Sequence, residues 1–539
     1  MADEVEALAA EEVDALVVGA GFAGLYLLHR LRGLGFRTVV VDAAGDVGGT
    51  WYWNRYPGAR CDIESMEYSF SFDEDLQQEW HWTERYAAQA EILAYARHVA
   101  DRFDLRRDIR FGTRVLGADF DEQTSRWLVR TDGGDLGYSA RFLVLATGTL
   151  SALNAPAFAG LDTFTGDTYH TARWPEAGVD LTGKRVAVIG TGSSAIQAIP
   201  IIAEQAAELF VFQRTATYSV AARNGPLDPA EEAAVKADYA GFRARNRANP
   251  GGFGSRFAWG DRSALEMTPD EREAELEHRW QQGGFALLGA FVDLLSDPQA
   301  NEYAAEFVRR KIRSIVDDPV TAELLCPSMP IACKRMCVDT GYYATYNRPT
   351  VHLVDVSADP IERITPNGLV TGGSEYAVDV IVFATGFDAM TGAVLRVDIT
   401  GRDGRTMHDA WAAGPINYLG LAIPGFPNLF MVTGPGSPSV LTNMIVSIEQ
   451  HVEWISDALV RMRDRGLTTI EATEDAAAAW VEHVNAIASF TLFPSCNSWY
   501  LGANVPGKPR VFMPCPGFPP YVERCDAVAT NDYEGFALA

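Results

Sequence analysis

No apolar run in this chain of 539 residues approaches the ~20 residues that a bilayer-crossing helix requires. The stretch Met1 to Ala15 is acidic and has no basic end followed by an apolar core, so a secretory leader is not expected. Basic residues are scarce beside acidic ones, 45 Lys plus Arg against 71 Asp plus Glu, which leaves a net charge of −26. Such a surface repels nucleic acid and anionic membranes, and any basic group that matters must act locally. Cysteine is sparse as well, with residues 61, 326, 333, 337, 496, 515 and 525, an odd number and no CxxC spacing. A disulfide framework is therefore not expected, and a reducing, cytoplasmic setting is. Cys326, Cys333 and Cys337 have no histidine cluster nearby, so they are read as buried or incidental thiols and no metal site is predicted. No GxSxG elbow occurs, which sets aside a serine hydrolase, and no low-complexity tract is found.

What the chain does contain is a pair of glycine turns. Gly19-Ala-Gly21-Phe-Ala-Gly24 follows the apolar run Ala15 to Val18 and opens a helical pattern over Leu25 to Leu34. A strand, a tight turn and a helix in that order bring backbone amides and the positive helix end to a pyrophosphate. Asp42 closes the next apolar run, Thr38 to Val41, where a carboxylate accepts hydrogen bonds from a ribose. The second turn, Gly190-Thr191-Gly192-Ser193-Ser194-Ala195, follows the strand Arg185 to Ile189. Its partner position carries no acid but Gln213, Arg214 and Thr215. A guanidinium binds a 2′-phosphate that a carboxylate would repel, so the first half reads as an FAD site and the second as an NADP site.

Length suggests three to four units. The strand Arg141 to Leu145 ends in Ala146-Thr147-Gly148, and Val380 to Phe383 ends in Ala384-Thr385-Gly386. These near copies mark the two crossings between a flavin domain and a nicotinamide domain inserted in it. Residues 229–316 become rich in Glu, Arg and Ala with helical spacing at Pro269 to Trp280 and Asn301 to Ile315, a helical insertion expected to be a solvated face without chemistry. Asn249 to Gly254 reads as a mobile loop. The fold class is thus α/β, two Rossmann-like dinucleotide-binding domains with a helical insertion. Its expected segments are 1–150 (FAD domain, first part), 151–225 (NADP domain, first part), 226–333 (insertion), 334–386 (NADP domain, second part) and 387–539 (FAD domain, second part, with an active-site loop).

Between the turns lies Phe164-Thr-Gly-Asp-Thr-Tyr-His170-Thr-Ala-Arg-Trp174-Pro175. With the two turns in this order, with Gly48 to Asp62, with Gly434-Pro-Gly-Ser-Pro-Ser439, and with Ser498-Trp499-Tyr500 before Gly502 and Asn504, the chain resembles the Baeyer-Villiger monooxygenases. The resemblance runs from about residue 13 to the C-terminus, and within the family it is greatest to phenylacetone and steroid ketone enzymes. It implies an NADPH- and O2-dependent flavoenzyme that turns aryl, bulky or cyclic ketones into esters or lactones through a flavin peroxide.

The residues agree with that chemistry. Gly49 permits close approach, and Thr50, Trp51 and Trp53 offer flat surface for an isoalloxazine ring. An anionic peroxide needs a fixed cation, and Lys334-Arg335, in the apolar context Ile331 to Val338, supplies the best candidate. Arg335 stays protonated and stabilises an anion without donating its proton. By resemblance Arg335 lies over the flavin, Asp62 positions it, Lys334 holds the NADP phosphate, and Trp499 reaches the nicotinamide from a mobile loop. Tyr68, Val115 and Met444 complete the implied flavin set, while His170 and Trp174 hold the domains in relative position. Asp42 in place of the commoner glutamate, Ala195 in place of glycine, and Pro514 to Pro520 depart from the family pattern. Three rivals remain. A sulfur- or nitrogen-oxygenating flavoenzyme typically lacks the final Trp-Pro, a pyridine nucleotide-disulfide reductase needs a redox cysteine pair, and a silent nucleotide sensor would not consume NADPH with ketone. A monomer or weak homo-oligomer is expected.

Overall fold

The computed structural model describes residues 10–539, so most of the acidic N-terminal stretch lies outside the described residues. Two sheets organise the chain. The larger has eight strands in the order Asp398–Thr400, Val115–Asp121, Arg126–Thr131, Gly134–Leu145, Glu11–Val18, Thr38–Val41, Ile109–Arg110, with Leu429–Met431 also on Gly134–Leu145. The smaller is parallel throughout: Val351–Asp355, Glu208–Gln213, Arg185–Ile189, Val380–Phe383, Asp167–His170. Its central strands are continuous apolar runs because both faces are covered, one by the helix Ser193–Gln205 and the other by a small antiparallel sheet, Arg363–Thr365, Gly368–Thr371 and Ser374–Ala377.

The two halves repeat one junction. Gly19 donates its N–H to Val41 O and Gly190 donates to Phe212 O, each reaching the neighbouring strand. Ala146 donates to Val18 O and Ala384 to Ile189 O, both at 2.9 Å. Gly19 (φ +114°) and Gly190 (φ +115°) occupy the left-handed region, and a Cβ on either would meet the Ala146 or Ala384 carbonyl oxygen at 2.5 or 2.6 Å. Each glycine thus needs both its backbone freedom and its missing side chain. The Ala-Thr-Gly segments legible in the sequence are the surfaces on which the two turns rest.

The insertion forms helices Pro229–Ala237, Tyr239–Ala248, Pro269–Gln282, Pro298–Ile315 and Pro319–Leu325. Pro269–Gln282 starts where the sequence pattern places it, with Thr268 and Glu271 capping each other reciprocally. Two expectations fail here. Residues 251–254 are buried, not mobile: Asn443 donates to Gly251 O (2.8 Å), Phe518 donates to Pro250 O (2.9 Å) and Gly254 donates to the Glu67 carboxylate (3.0 Å). Nor is the insertion only a solvated face, since its Phe285 ring lies 5.2 Å beneath the Arg335 guanidinium.

A third correction concerns cysteine. Cys333 and Cys496 are joined as a disulfide, leaving Cys61, Cys326, Cys337, Cys515 and Cys525 free. The partners are 163 residues apart in sequence with Cα atoms 6.2 Å apart, and counting short spacings finds only local pairs. Among the described residues no helix is long and apolar enough to cross a membrane.

Candidate active site

The helix Phe22–Gly33 begins at Gly21 and the helix Ser193–Gln205 at Gly192, and neither N-cap supplies a side-chain hydrogen bond. No acidic residue occupies either first turn, and a Cβ on Gly192 would meet nothing within 4 Å. Both ends therefore keep amide donors for an external anion, which is the fit a dinucleotide pyrophosphate requires. Gly24 packs directly on the Gly19 carbonyl, and Gly49 lies against Gly21. Asp42 accepts from Ala20 N (2.6 Å) and Ala44 N (2.7 Å), so it braces the first turn. Burial raises its pKa, a shift the two amides counter. Val115 is buried with Val39 and Val41 in the apolar cluster beneath that strand end.

Over the first turn sit aromatic residues. Trp51 is buried and donates Nε1–H to Tyr68 Oη (3.2 Å), and Tyr68 meets Phe22, the first helical residue, edge to face at 5.9 Å. Thr50 and Trp53 are exposed on the same short helical turn, Thr50–Trp53. Met444 opens the long helix Met444–Asp464, capped by Asn443, whose amide also donates to Glu67 O.

Arg335 is where these elements converge. Its Nε and Nη2 donate to the two Asp62 carboxylate oxygens at 2.6 and 2.8 Å, and Nη1 donates to Val440 O at 2.6 Å. Burial opposes the guanidinium charge, but Asp62, by charge and by hydrogen bonding, outweighs it and raises the pKa further. Three of five N–H donors are thus engaged, the fork is fixed, and the cation is permanent. Both partner side chains keep roughly a fifth to a quarter of their surface accessible, 21% and 24%, so the pair borders solvent-reachable space.

Lys334 faces the other way, toward the second turn. Burial lowers its pKa, and its charge is coupled to Cys337 and Arg214. Arg214 and Thr215 are exposed, Thr191 Oγ1 donates to Thr215 O (3.0 Å), and Ser193 Oγ lies 3.2 Å from Cys337 Sγ. The structure so gathers Gly190, Thr191, Gly192, Ser193, Ser194, Arg214, Thr215 and Lys334 near one helix end. Gln213 is not among them. Its side chain is buried and donates to Leu324 O (2.7 Å), so it anchors a helix of the insertion.

The turn-rich run Asn54 to Asp62 links the two modules. Tyr56 Oη donates to Gln197 Oε1 (2.8 Å), Gln197 returns a bond to Arg60 O (3.1 Å), and Gly58 presses on the Gln197 backbone. His170 Nδ1 accepts from Ala172 N (3.0 Å) and its Nε2 lies 3.1 Å from Thr385 Oγ1, which itself donates to Asn154 O. Burial lowers its pKa. Trp174 is buried against Tyr169, 5.4 Å between ring centres.

Sequence reasoning missed three contributors: Phe285, the Val440 carbonyl and Tyr500. Trp499 is half-buried, but its neighbour Tyr500 is the loop residue that senses the charges of both Arg335 and Asp62, and burial raises its pKa. The Ser498-Trp499-Tyr500 motif marked the place of Tyr500, and Val440 directly follows the Gly434 to Ser439 motif, whereas Phe285 comes from a segment without a local signature.

Paired dinucleotide folds around one half-buried, ion-paired arginine define an α/β oxidoreductase. A family model described as pyridine nucleotide-disulphide oxidoreductase matches residues 16–236, the region of both turns. A Baeyer-Villiger monooxygenase of Pseudooceanicola batsensis is 46% identical over 506 residues, covering 93% of this chain and 92% of that protein. The solved structure of an oxidized steroid monooxygenase bound to NADP is 56% identical with a TM-score of 0.93, covering 98% of this chain and 99% of that one. That of OTEMO in complex with FAD and NADP is 40% identical with a TM-score of 0.94, covering 98% and 100%. The chain belongs to the Baeyer-Villiger monooxygenase family.

Proposed function

We propose that this FAD- and NADPH-dependent ketone monooxygenase acts best on aryl or bulky cyclic ketones, releasing esters or lactones by a flavin peroxide route. The observation that carries the reading is Arg335, fixed by Asp62 and Val440 at the meeting point of both modules. Bound FAD, reduced by NADPH, supplies activated oxygen. Trp51, Tyr68 and Met444 hold its ring side, and Gly19, Gly21, Gly24 and Asp42 hold its dinucleotide side. Arg214, Thr215 and Lys334 take the 2′-phosphate of the coenzyme. Arg335 stabilises negative charge at the attacked carbonyl. Support for bulky substrates comes from the likeness to the steroid enzyme and from the small-residue loop Gly434 to Ser439.

Two measurements test this. Products from a ketone panel are read by mass for a gain of one oxygen, with aryl or polycyclic ketones expected to outperform cyclohexanone. In Arg335→Ala, anaerobic bleaching of the flavin by NADPH should persist while ester formation falls by at least ~100-fold, the scale for losing one preorganised charge-stabilising group. Arg335→Lys should rescue poorly, because an ammonium lacks the planar fork. Ester formation near the parent rate in Arg335→Ala would place the catalytic cation elsewhere.

A further inference from the structure

The disulfide lies next to the proposed chemistry at both ends. Cys333 immediately precedes Lys334 and Arg335, and Cys496 lies three residues before Trp499 and four before Tyr500. The segment between the helices Glu474–Ser489 and Phe518–Thr530 contains only two short helical turns, Phe493–Ser495 and Trp499–Leu501. Main-chain bonds anchor its two ends, Leu492 donating to Leu295 O (2.7 Å), Gly436 donating to Met513 O (2.6 Å) and Cys515 donating to Ser437 O (2.8 Å), whereas residues 496–512 between them are tied to other segments by side-chain bonds: Lys508 Nζ to Asp388 (2.6 Å) and to Ala389 O (2.6 Å), and Asn504 Nδ2 to Phe387 O (2.6 Å). The bridge is its one covalent link to the segment bearing Arg335 among the described residues. With that link cut, residues 496–512 keep only these side-chain bonds and the packing of Tyr500 and Phe512 to hold them against other segments, so local opening of this stretch becomes easier.

We propose that Cys333–Cys496 is a reversible thiol–disulfide site that, when oxidised, staples the C-terminal segment over the Lys334–Arg335 segment and slows exchange of the nicotinamide coenzyme. The inference rests on reading Lys334 and Arg335 as the coenzyme and oxygenation site. Cys496 is the reactive end, 9% exposed against 1% for Cys333. A dithiol reductant attacks the Cys496 sulfur as thiolate, the bridge S–S bond breaks, and Cys333 leaves as a thiolate that takes up a proton. The second reductant thiolate then displaces Cys496, so two electrons and two protons reach the cysteines and the reductant departs as its own disulfide. Hydrogen peroxide reverses this: the Cys496 thiolate attacks one peroxide oxygen, the O–O bond breaks and water leaves. The resulting sulfenic acid condenses with the Cys333 thiol and releases a second water.

The test uses the whole FAD-loaded enzyme, fully reduced with a dithiol and then divided, one half reoxidised with stoichiometric peroxide. Maleimide labelling under denaturing conditions, read by mass, should count two fewer thiols in the oxidised half. Amide hydrogen exchange over residues 496–513 should be at least ~10-fold faster in the reduced half, and NADP+ should dissociate several-fold faster from it. Cys496→Ser should match the reduced protein and ignore the reductant. Equal thiol counts, equal exchange, equal NADP+ dissociation, or a reductant response that survives in Cys496→Ser would each overturn the switch. Failure of the underlying site reading has a different signature, NADP+ binding indifferent to Arg214→Ala.

Discussion

Arg214 and Lys334 approach one helix end from different segments, and the lowered pKa of Lys334 shows burial and a neighbouring cation opposing its charge. A bound phosphate dianion relieves both. The parent enzyme is therefore expected to prefer NADPH over NADH by at least ~100-fold in kcat/KM, about 2.7 kcal/mol. Arg214→Ala should erode that preference mainly through KM, and equal use of both coenzymes by the parent would refute the assignment. Glu67 carries a second residue-scale prediction. Burial first, and the nearby Glu64 charge second, push its carboxyl up to about 8, while the Gly254 and Ser255 amides donate to it. An acid whose folded pKa is raised binds a proton in the native state that the unfolded chain releases above about 4.5, so stability falls as pH rises from there toward 8. Glu67→Gln keeps an acceptor for both amides and removes the titration. Thermal unfolding at pH 6 and pH 9 should show a smaller loss in the variant than in the parent, and an equal loss would show that Glu67 does not titrate in this window. Arg335 and Arg214 could be singled out from residue type and local context, and Asp62 and Lys334 from the family resemblance. Phe285, Val440 and the Cys333–Cys496 bridge could not, since each arises only when segments far apart in sequence meet.

At the level of elements, the stretch from Phe164 to Pro175 behaves as a joint. Its strand Asp167–His170 is the edge of the smaller sheet, and His170 ties it to Thr385 in the second Ala-Thr-Gly crossing. The imidazole has two structural partners and a pKa lowered by burial, which suits positioning better than proton transfer. His170→Ala is expected to retain FAD but lose oxygenation efficiency, with the shape of its pH-rate profile unchanged. A limb near ordinary histidine values that vanishes in the variant would instead make His170 an acid–base group. The two glycine turns, their strands and the main insertion helices could be read from glycine spacing and hydrophobic periodicity. The buried run at residues 251–254 could not, because its Pro-Gly-Gly composition is that of a free loop and only the tertiary contacts of Glu67, Asn443 and Phe518 hold it.

For the whole molecule, the twin Ala-Thr-Gly segments of the sequence follow a strand of each of the two sheets, whereas the order of strands within each sheet could not be read, since pairing across long connections leaves no local trace. The larger sheet carries this furthest. The strand Leu429–Met431 pairs in parallel with Leu143 to Leu145, 286 residues earlier in the chain. On a ribosome adding about 5–20 residues per second, that apolar strand edge waits roughly 15 to 60 s for its partner while the smaller sheet and the insertion are still being made. The first module can start to fold early but cannot finish until most of the polypeptide has emerged. During that interval an open edge between Leu143 and Leu145 invites pairing with another nascent chain. Slower translation between residues 145 and 429 is therefore expected to lower soluble yield, and chaperone co-expression to raise it.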